Sequence, residues 1–312
     1  MGMDRLKPAR SPVFYGVLLV LECLMWGISN AVSKQGFASI PPMWCLTLRY
    51  ALSTVLFLAL FGKRFFSRVR KRDLMPCVLV SLCTAAAFMF GFLSLVYTTA
   101  TNAGFFMALA VVIAPFLSVP LLKEKLDLRQ ILPVFIVVAG MYFICGGSFS
   151  SFGRGELLAL LSSLSTSFML TLSGKFLKDV DAIVLCTIQC AVCFLCCLAA
   201  AFLLEGMPVF SAIGPAGWWL VLYLALGCTF LAYLFQNIAL MHVSPAFGAL
   251  TWCTEPLFTA VAAYFILNER MDFTACCGAG LILAGIVFAS VLELKKAKQP
   301  SSSDPMQQRY KI

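Results

Sequence analysis

Polar side chains recur at helical spacing inside stretches of the chain that are otherwise apolar. One stripe consists of Glu22, Trp26, Ser29, Asn30 and Ser33, which recur at steps of three or four residues and so share one face of a helix. Four other stretches carry similar stripes: Thr84, Gly91, Ser94 and Thr98; Ser163, Thr166, Ser173 and Gly174; Thr229, Tyr233, Gln236 and Asn237; and Gly248, Thr251, Trp252, Glu255 and Thr259. Stripes on five helices can converge on one cavity for a polar solute. Alternatively, the Ser, Thr and Gly residues among them allow close packing between membrane helices.

Three ionisable residues stand within these or neighbouring apolar stretches: Glu22, Arg49 and Glu255. An ionised side chain at the centre of a bilayer costs on the order of 3 kcal/mol, so each should face protein or water rather than lipid. Glu255 immediately precedes Pro256, which interrupts helical hydrogen bonding, and a carboxylate beside a broken helix is typical of transporter binding sites. We therefore expect Glu255 to bind a substrate or a proton, with structural ion pairing as the alternative. For Arg49 we expect a structural role, either paired with a carboxylate or extended toward the membrane surface.

The composition indicates which elements must position these side chains. The 312 residues are 61% hydrophobic and 12% charged, against roughly 45 to 50% apolar and 25% charged in soluble proteins. We predict an all-α membrane protein, because ten stretches approach the roughly 20 apolar residues that cross a bilayer as a helix. The predicted spans are 13–35, 43–62, 74–96, 101–122, 130–147, 155–176, 181–204, 217–241, 245–267 and 273–292.

The chain repeats itself at an offset of 145 residues. Glu124-Lys125-Leu126-Asp127 matches Glu269-Arg270-Met271-Asp272, and Ala139-Gly140 matches Ala284-Gly285. With ten spans, the repeats are residues 13–147 and 155–292, and five spans per repeat predict that the second is inverted relative to the first. The matched Glu124 and Glu269 fall at span ends, where we expect an architectural role. Asp127 and Asp272 are predicted to cap the helices that follow them.

The basic residues predict the orientation. Nineteen of the 23 Lys and Arg residues would lie on the same side as the N-terminus, against Lys34, Arg154 and Arg270 on the other side and Arg49 within a span. This bias predicts a multi-pass protein of the plasma membrane with both termini in the cytoplasm. It also explains the net charge of +9 by positions near anionic lipid, so we expect no nucleic-acid partner. Residues 295–312 are predicted to form a disordered cytoplasmic tail.

Neither metal chemistry nor catalysis is expected. Five of the fourteen cysteines, Cys186, Cys190, Cys193, Cys196 and Cys197, are spread around one span without His or carboxylate support, so they should pack as small apolar residues. The single histidine, His242, stands at a span boundary. The chain also has no phosphate-binding loop for ATP. We predict a protein that is not an enzyme and has no cofactor and no metal site.

Short motifs that run through nearly the whole chain carry a family resemblance. They are Trp26-Gly27 with Lys34, Leu48-Arg49-Tyr50, Glu255-Pro256-Leu257-Phe258 followed by Leu267-Asn268-Glu269-Arg270, and Leu283-Ala284-Gly285. With these motifs the chain resembles the EamA-type transporters of the drug/metabolite transporter superfamily. The resemblance implies two inverted five-helix repeats and a central cavity lined largely by helices one, three, four, six, eight and nine. The first repeat departs from the pattern because Val111 occupies the position equivalent to Pro256.

We therefore predict a secondary transporter, and specifically an exporter, of small organic metabolites such as amino acids, which works by alternating access. Its partners would be the small-molecule substrate, the lipid bilayer and protons as a coupling ion; the oligomeric state stays open. The candidate substrate-binding residues are Glu22, Trp26, Asn30, Thr84, Tyr97, Thr166, Tyr233, Gln236, Asn237, Trp252 and Glu255. Two alternatives remain: a nucleotide-sugar or phosphate-ester translocator, which needs more basic groups in the cavity, and a non-transporting scaffold or receptor subunit.

Overall fold

A computed structural model gives the fold, and it describes residues 12–122, 129, 131–144, 152–176, 180–208, 210–240, 251–252 and 254–298. Within these residues the regular elements are all helical. They are α1 (Pro12–Gly36), α2 (Pro42–Arg68), α3 (Lys71–Tyr97), α4 (Ala100–Met107), α5 (Ala110–Leu122), α6 (Ile131–Ile144), α7 (Arg154–Phe176), α8 (Ala182–Leu204), a 3-10 turn (Phe210–Ala212), α9 (Pro215–Ala225), a π-helical segment (Leu226–Leu231), α10 (Ala232–Leu240), α11 (Glu255–Leu267) and α12 (Phe273–Lys298).

The described helices fall into two groups by length. Six are long and apolar enough to cross a membrane: Phe14–Gly36, Pro42–Arg68, Lys71–Tyr97, Arg154–Ser173, Ala182–Leu204 and Pro215–Gln236. Four apolar helices are shorter: Ala100–Ala114, Ile131–Ile144, Glu255–Leu267 and Phe273–Ala289. The prediction of an all-helical membrane protein is confirmed. Together the six long and four shorter helices lie at the positions of the ten predicted spans, although the described residues do not confirm ten full-length crossings.

Local sequence explains where several helices begin. Pro42 and Pro256 occupy the first turns of α2 and α11, where a proline N–H is not needed for helical hydrogen bonding. Asp181 caps α8 by accepting a hydrogen bond from the Ile183 N–H at 2.9 Å. Asp272 accepts from the Ala275 N–H at 2.7 Å, which confirms the predicted cap of α12. The matching Glu124 and Asp127 lie outside the described residues.

Two of the predicted spans are not continuous α-helices. The span 101–122 is divided into α4 and α5 around Ala108 and Leu109, and Thr99 caps α4 by accepting a hydrogen bond from the Asn102 N–H at 3.0 Å. The span 217–241 contains the π-helical segment between α9 and α10. Such a segment removes regular hydrogen bonds from part of a helix, and it is frequent at functional sites.

The helices pack in a few dominant pairs: α3 with α7, α6 with α12, α2 with α8, and α1 with α11. The largest apolar cluster lies where α2 meets α8. There Cys186, Cys190, Cys193 and Cys197 are fully buried beside aromatic residues such as Tyr50. These thiols pack as small apolar groups, as predicted.

The last helix corrects the predicted start of the tail. α12 continues to Lys298, so residues 295–298 are helical and the prediction of disorder from 295 is wrong for them. A helix that leaves an apolar span is favoured to continue into a run of good helix formers such as Leu294-Lys295-Lys296-Ala297. Residues 299–312 lie outside the described part of the chain.

Candidate binding cavity

The described helices surround a cavity of about 140 Å³. It is lined by the helices that the resemblance implied, from both halves of the chain, and also by Arg49 of α2. The lining residues are Trp26, Ser29, Asn30, Arg49, Thr84, Ala87, Phe88, Gly91, Phe92, Met107, Ala108, Ala110, Val111, Ser162, Thr166, Met169, Leu170, Gln236, Trp252 and Glu255. One cation and one carboxylate therefore share a wall that is otherwise apolar or neutral.

Arg49 is held firmly in the wall of the cavity. The residue is 1% exposed, its Nε donates to the Thr229 hydroxyl, and its Nη2 donates to the Cys228 carbonyl at 3.0 Å. The guanidinium carbon also lies 4.9 Å from the centre of the Phe88 ring and 5.3 Å from that of Tyr50. Aromatic faces attract a cation, so these contacts stabilise a buried guanidinium without a carboxylate.

The π-helical segment supplies the oxygens that hold Arg49. At its end the Ala232 N–H bonds to the carbonyls of Gly227 and Thr229, which bypasses Cys228. The Cys228 carbonyl instead accepts from Arg49 and from the Trp26 indole N–H at 2.8 Å. An irregular turn in one half of the chain thus positions two cavity residues of the other half.

Glu255 occupies the first turn of α11, where the chain passes close to α1. Asn30 lies beside its carboxylate and donates to the Thr259 hydroxyl at 3.1 Å, and that hydroxyl bonds to the Glu255 carbonyl at 3.2 Å. A Cβ added at Gly27 would lie 2.6 Å from the Phe258 Cβ, so only glycine permits this approach. The interruption of the helix expected at Pro256 coincides with the start of α11, which places the Glu255 carboxylate at a positive helix terminus.

Glu22 lies behind the cavity wall rather than in it. Its side chain is fully buried, and neither carboxylate oxygen has a hydrogen-bond partner in the structure. It lies close to Glu255 and to the Trp252 indole, whose buried N–H is also without a partner. Trp252 and Glu255 line the cavity, so Glu22 lies next to lining residues without being one of them. A part for Glu22 in substrate binding stays a prediction.

Seven of the eleven predicted binding residues line the cavity. They are Trp26, Asn30, Thr84, Thr166, Gln236, Trp252 and Glu255. Thr84 is oriented by Gln189 of α8, whose Nε2 donates to the Thr84 hydroxyl at 2.7 Å. The structure thus brings together residues that are up to 229 positions apart in the chain, as the Asn30 and Thr259 pair illustrates.

Four further sequence predictions need correction or fall outside the described residues. Tyr97 is 58% exposed at the end of α3, because the helix ends there and the ring lies on its outer side. Tyr233 is buried behind the wall, 6.3 Å from the Trp26 ring and 3.4 Å from the Tyr50 hydroxyl. Arg49 makes no ion pair with a carboxylate among the described residues, so the predicted pairing is wrong. The side chain of Asn237 lies outside the description.

Sequence reasoning missed the part that Arg49 plays in the cavity, together with most of the apolar lining. Arg49 stands alone in α2, so no polar stripe pointed to it. Ser29 and Gly91 belonged to predicted stripes and could have been included. Phe88, Phe92, Met107 and Met169 resemble ordinary core residues in sequence, and no local signal distinguishes them.

Comparisons with known proteins agree with this fold. A model of the EamA-like transporter family matches residues 14–146 and again residues 153–291. The chain is 27% identical over 277 residues to an uncharacterized transporter of Archaeoglobus fulgidus, covering 86% of this chain and 95% of that protein. It is 26% identical over 309 residues to the uncharacterized transporter YcxC of Bacillus subtilis, covering 94% and 97% respectively.

A solved crystal structure shows the same fold. It superposes on this chain with a TM-score of 0.66 and 18% sequence identity, and covers 93% of this chain and 100% of its own. At this identity the likeness concerns the arrangement of the helices alone.

Proposed function

This chain belongs to the EamA-like transporter family, and from that premise we propose that it is a secondary transporter that exports small zwitterionic metabolites, such as amino acids. The family and its relatives make it a membrane transporter. The observation that carries the finer proposal is that Arg49 and Glu255 both line one small cavity between the two halves of the chain. The guanidinium would bind the carboxylate of the solute, and Glu255 would bind its ammonium group.

The geometry of the two charged groups favours this substrate class. A guanidinium presents five N–H donors in a planar fork that suits a carboxylate, and only two of its nitrogens bond to described protein atoms. Glu255 provides the opposite charge, and Trp26, Trp252 and Phe88 add apolar and aromatic surface to the same lining. A zwitterion with an apolar side chain matches all three features.

The size and charge of the cavity argue against a nucleotide sugar. About 140 Å³ is below the roughly 300 to 1,000 Å³ of pockets that hold drug-sized ligands. Among the described lining residues Arg49 is the one cation, whereas a diphosphate is recognised by several basic groups. The nucleotide-sugar alternative therefore has little support. The scaffold alternative is addressed directly by a flux measurement.

The packing of the helices supports alternating access by two inverted repeats. The 145-residue offset relates α1 to α7, α3 to the helix formed by α9 and α10, and the α4–α5 pair to α11. If the two halves are equivalent, each contact should have a counterpart with the halves exchanged. The counterpart of the contact between α3 and α7 is the contact between α10 and α1. The counterparts of the contact between α1 and α11 are the contacts of α7 with α4 and α5. All of these contacts are present. This two-fold pattern supports rocking of the repeats about a central site.

Two acids near the cavity support coupling to protons. Glu255 lines the cavity, and Glu22 lies next to Trp252 with unbonded oxygens. A carboxyl group that alternates between binding a proton and a substrate amine couples the two movements, because one excludes the other. An exporter of this kind would exchange substrate for protons across the plasma membrane, with both termini in the cytoplasm.

Two measurements test the proposed function. Purified protein in liposomes should move radiolabelled apolar amino acids when a proton gradient is applied, and thermal-shift screening should show stabilisation by the same solutes. Absence of flux for amino acids, polyamines, quaternary amines, nucleosides and sugars would support the scaffold alternative instead. Reporter tags at Ser39 and Ser67 test the orientation, since only the Ser39 tag should react from outside the cell.

A further inference from the structure

We propose that Lys34, Thr98, Glu156 and Glu269, here named the Lys34 cluster, form a polar gate that closes one end of the cavity in this structure. The inference rests on the proposed function, because a gate has meaning only if a solute passes. The four residues come from the end of α1, the corner between α3 and α4, the start of α7 and the turn after α11. They therefore connect the two halves of the chain at one end of the helices.

Lys34 and Thr98 form the centre of the cluster. The Lys34 ammonium donates to the Thr98 carbonyl and lies 3.8 Å from a carboxylate oxygen of Glu269. The Thr98 hydroxyl donates to Glu156, whose second oxygen accepts from the Gly153 N–H at 3.0 Å. One residue at the α3–α4 corner thus joins α1 to α7.

Glu269 completes the cluster from the other half. Its carboxylate accepts hydrogen bonds from the N–H groups of Ala100 and Thr101 at 2.8 and 3.1 Å, and from the Thr101 hydroxyl at 2.9 Å. Asn268, with a φ of 54°, ends α11 in the left-handed conformation and turns Glu269 back toward α4. The architectural role predicted for Glu269 is confirmed, and it anchors α4 and Lys34 together.

The cluster lies directly beyond the cavity. Lys34 follows the lining residue Asn30 by about one helical turn, or roughly 5.4 Å along α1. Glu156 precedes the lining residue Ser162 by fewer than two turns of α7, and Thr98 follows Phe92 by fewer than two turns of α3. All three helices therefore lead from the cavity to the same end.

A thin apolar layer separates the cavity from the cluster. It consists of Ala31, Leu95, Ala100, Ala103, Ala262 and Ala263, with Met107 packed between this layer and the cavity. Five of its six buried members are alanines, and the larger side chains Ile28, Phe37, Ile266 and Leu267 pack against them. Small side chains allow the helices to approach closely at this level. The polar contacts of Lys34 add to this apolar packing in holding the ends of the helices together.

Thiol labelling of a single cavity position tests the gate. Ala108→Cys places a thiol in the cavity wall, and its reaction with a membrane-impermeant charged methanethiosulfonate is followed by peptide mass spectrometry in proteoliposomes. Ser39→Cys, in the turn after α1 at the Lys34 end, is labelled in a parallel preparation and measures how many molecules present that end to the reagent.

Lys34→Met in the Ala108→Cys background should speed labelling from the Lys34 end about tenfold, the change expected from losing one charge-assisted hydrogen bond. Arg270→Met is the matched control, because it removes an exposed positive charge one residue from Glu269 and should leave the rate unchanged. If Lys34→Met fails to fold, Thr98→Val should give a smaller increase by releasing Glu156 alone.

The gate is contradicted if Lys34→Met and Thr98→Val both label at the parent rate, or if Arg270→Met accelerates labelling as much as Lys34→Met does. The readout does not involve a substrate. Failure to find a transported solute would overturn the proposed function whatever the labelling rates, whereas normal amino acid flux with unchanged labelling would remove the gate and keep the proposed function.

Discussion

The two charged groups of the cavity are built in opposite ways. Arg49 is almost fully buried, bonded to Thr229 and to the Cys228 carbonyl, and enclosed by aromatic rings. Glu255 lies at the first turn of α11, half-buried, with the Asn30 amide beside it and the unbonded carboxyl group of Glu22 nearby. The protein thus fixes its cation and leaves its carboxylate more open.

This difference suggests a division of roles. A guanidinium locked in place can orient a substrate carboxylate in every cycle, because its geometry changes little when the site is empty. A carboxylate with few protein partners can exchange one partner for another, first a proton and then an amine. The comparison predicts that changes at Glu255 alter coupling, whereas changes around Arg49 alter affinity and stability.

The largest effect is expected for Glu255→Gln, which keeps the shape of the side chain but removes its charge. Net transport driven by a proton gradient should fall by roughly 10- to 100-fold, the range expected for losing an ionic contact made by the site. Exchange of substrate across the membrane should survive better than net flux, because exchange needs no proton. Both rates are measured in proteoliposomes of equal protein content.

Glu205→Gln is the matched control for that experiment. Glu205 follows α8, accepts hydrogen bonds from the N–H groups of Met43 and Trp44 at 2.8 and 3.0 Å, and does not line the cavity. It should reduce thermal stability without changing the ratio of net flux to exchange. If Glu255→Gln keeps the net flux and the substrate binding of the wild type, Glu255 has a structural role. If the variant loses net flux and exchange equally and binds substrate more weakly, Glu255 is a substrate ligand without a part in proton coupling.

Arg49→Lys tests the role of the cation in the cavity. Lysine keeps the charge but not the planar fork, so the substrate carboxylate loses bidentate binding. The dissociation constant for the substrate should rise about tenfold, as expected for the loss of one charge-assisted hydrogen bond, with the ratio of net flux to exchange preserved. Unchanged affinity measured by calorimetry, combined with a lower melting temperature, would reduce Arg49 to a packing residue.

Thr229→Val tests how the π-helical segment holds Arg49. Valine has nearly the volume of threonine but cannot accept the hydrogen bond from Nε, which leaves a buried donor without a partner. We expect a loss of about 1 to 3 kcal/mol in the free energy of unfolding and a smaller loss of affinity than in Arg49→Lys. Equal stability of variant and wild type in denaturant titrations would show that the guanidinium is held by the aromatic rings instead.

The smallest effect concerns pH and lies outside the membrane spans. Burial raises the pKa of the Glu205 carboxyl above its ordinary value, and the N–H groups of Met43 and Trp44 partly oppose the shift. Because the folded-state pKa is the higher one, the stability contributed by this group is present at low pH and is lost as pH rises above about 4.3 through the raised value. The melting temperature of the wild type should fall slightly over that range, and Glu205→Gln should flatten this component. A steeper fall in the variant would contradict the assignment.

Much of the fold was accessible from sequence because membrane crossing imposes strong constraints on composition. Apolar length predicted where helices lie, and the interruption expected at Pro256 coincides with the start of α11. The division at Ala108 and the π-helical segment were not predicted, since neither contains a proline or a polar run. Such irregularities arise from tertiary contacts, for example the hydrogen bonds of Cys228 and Thr229 to other helices.

The sequence predicted the lining residues whose position follows from helical periodicity. It missed the lining residues whose position depends on how the helices pack. Asn30 and Trp26 line the cavity as their spacing indicates, whereas Glu22 on the same stripe is fully buried and is not among the lining residues. Tyr97 was wrong because the helix ends at that residue. Arg49 was misjudged because a sequence cannot show that carbonyl oxygens and aromatic rings, rather than a carboxylate, surround a buried cation.

The central claim, that Arg49 and Glu255 together recognise a zwitterion, is tested most directly by competition in a counterflow assay. Proteoliposomes loaded with an apolar amino acid take up its radiolabelled form while three competitors are compared: the amino acid itself, the amine without its carboxylate and the acid without its amine. We predict that only the complete zwitterion competes strongly in the wild type, and that Arg49→Lys weakens its competition. Equal competition by either singly charged analogue would contradict the claim, because one of the two charges would then not be recognised.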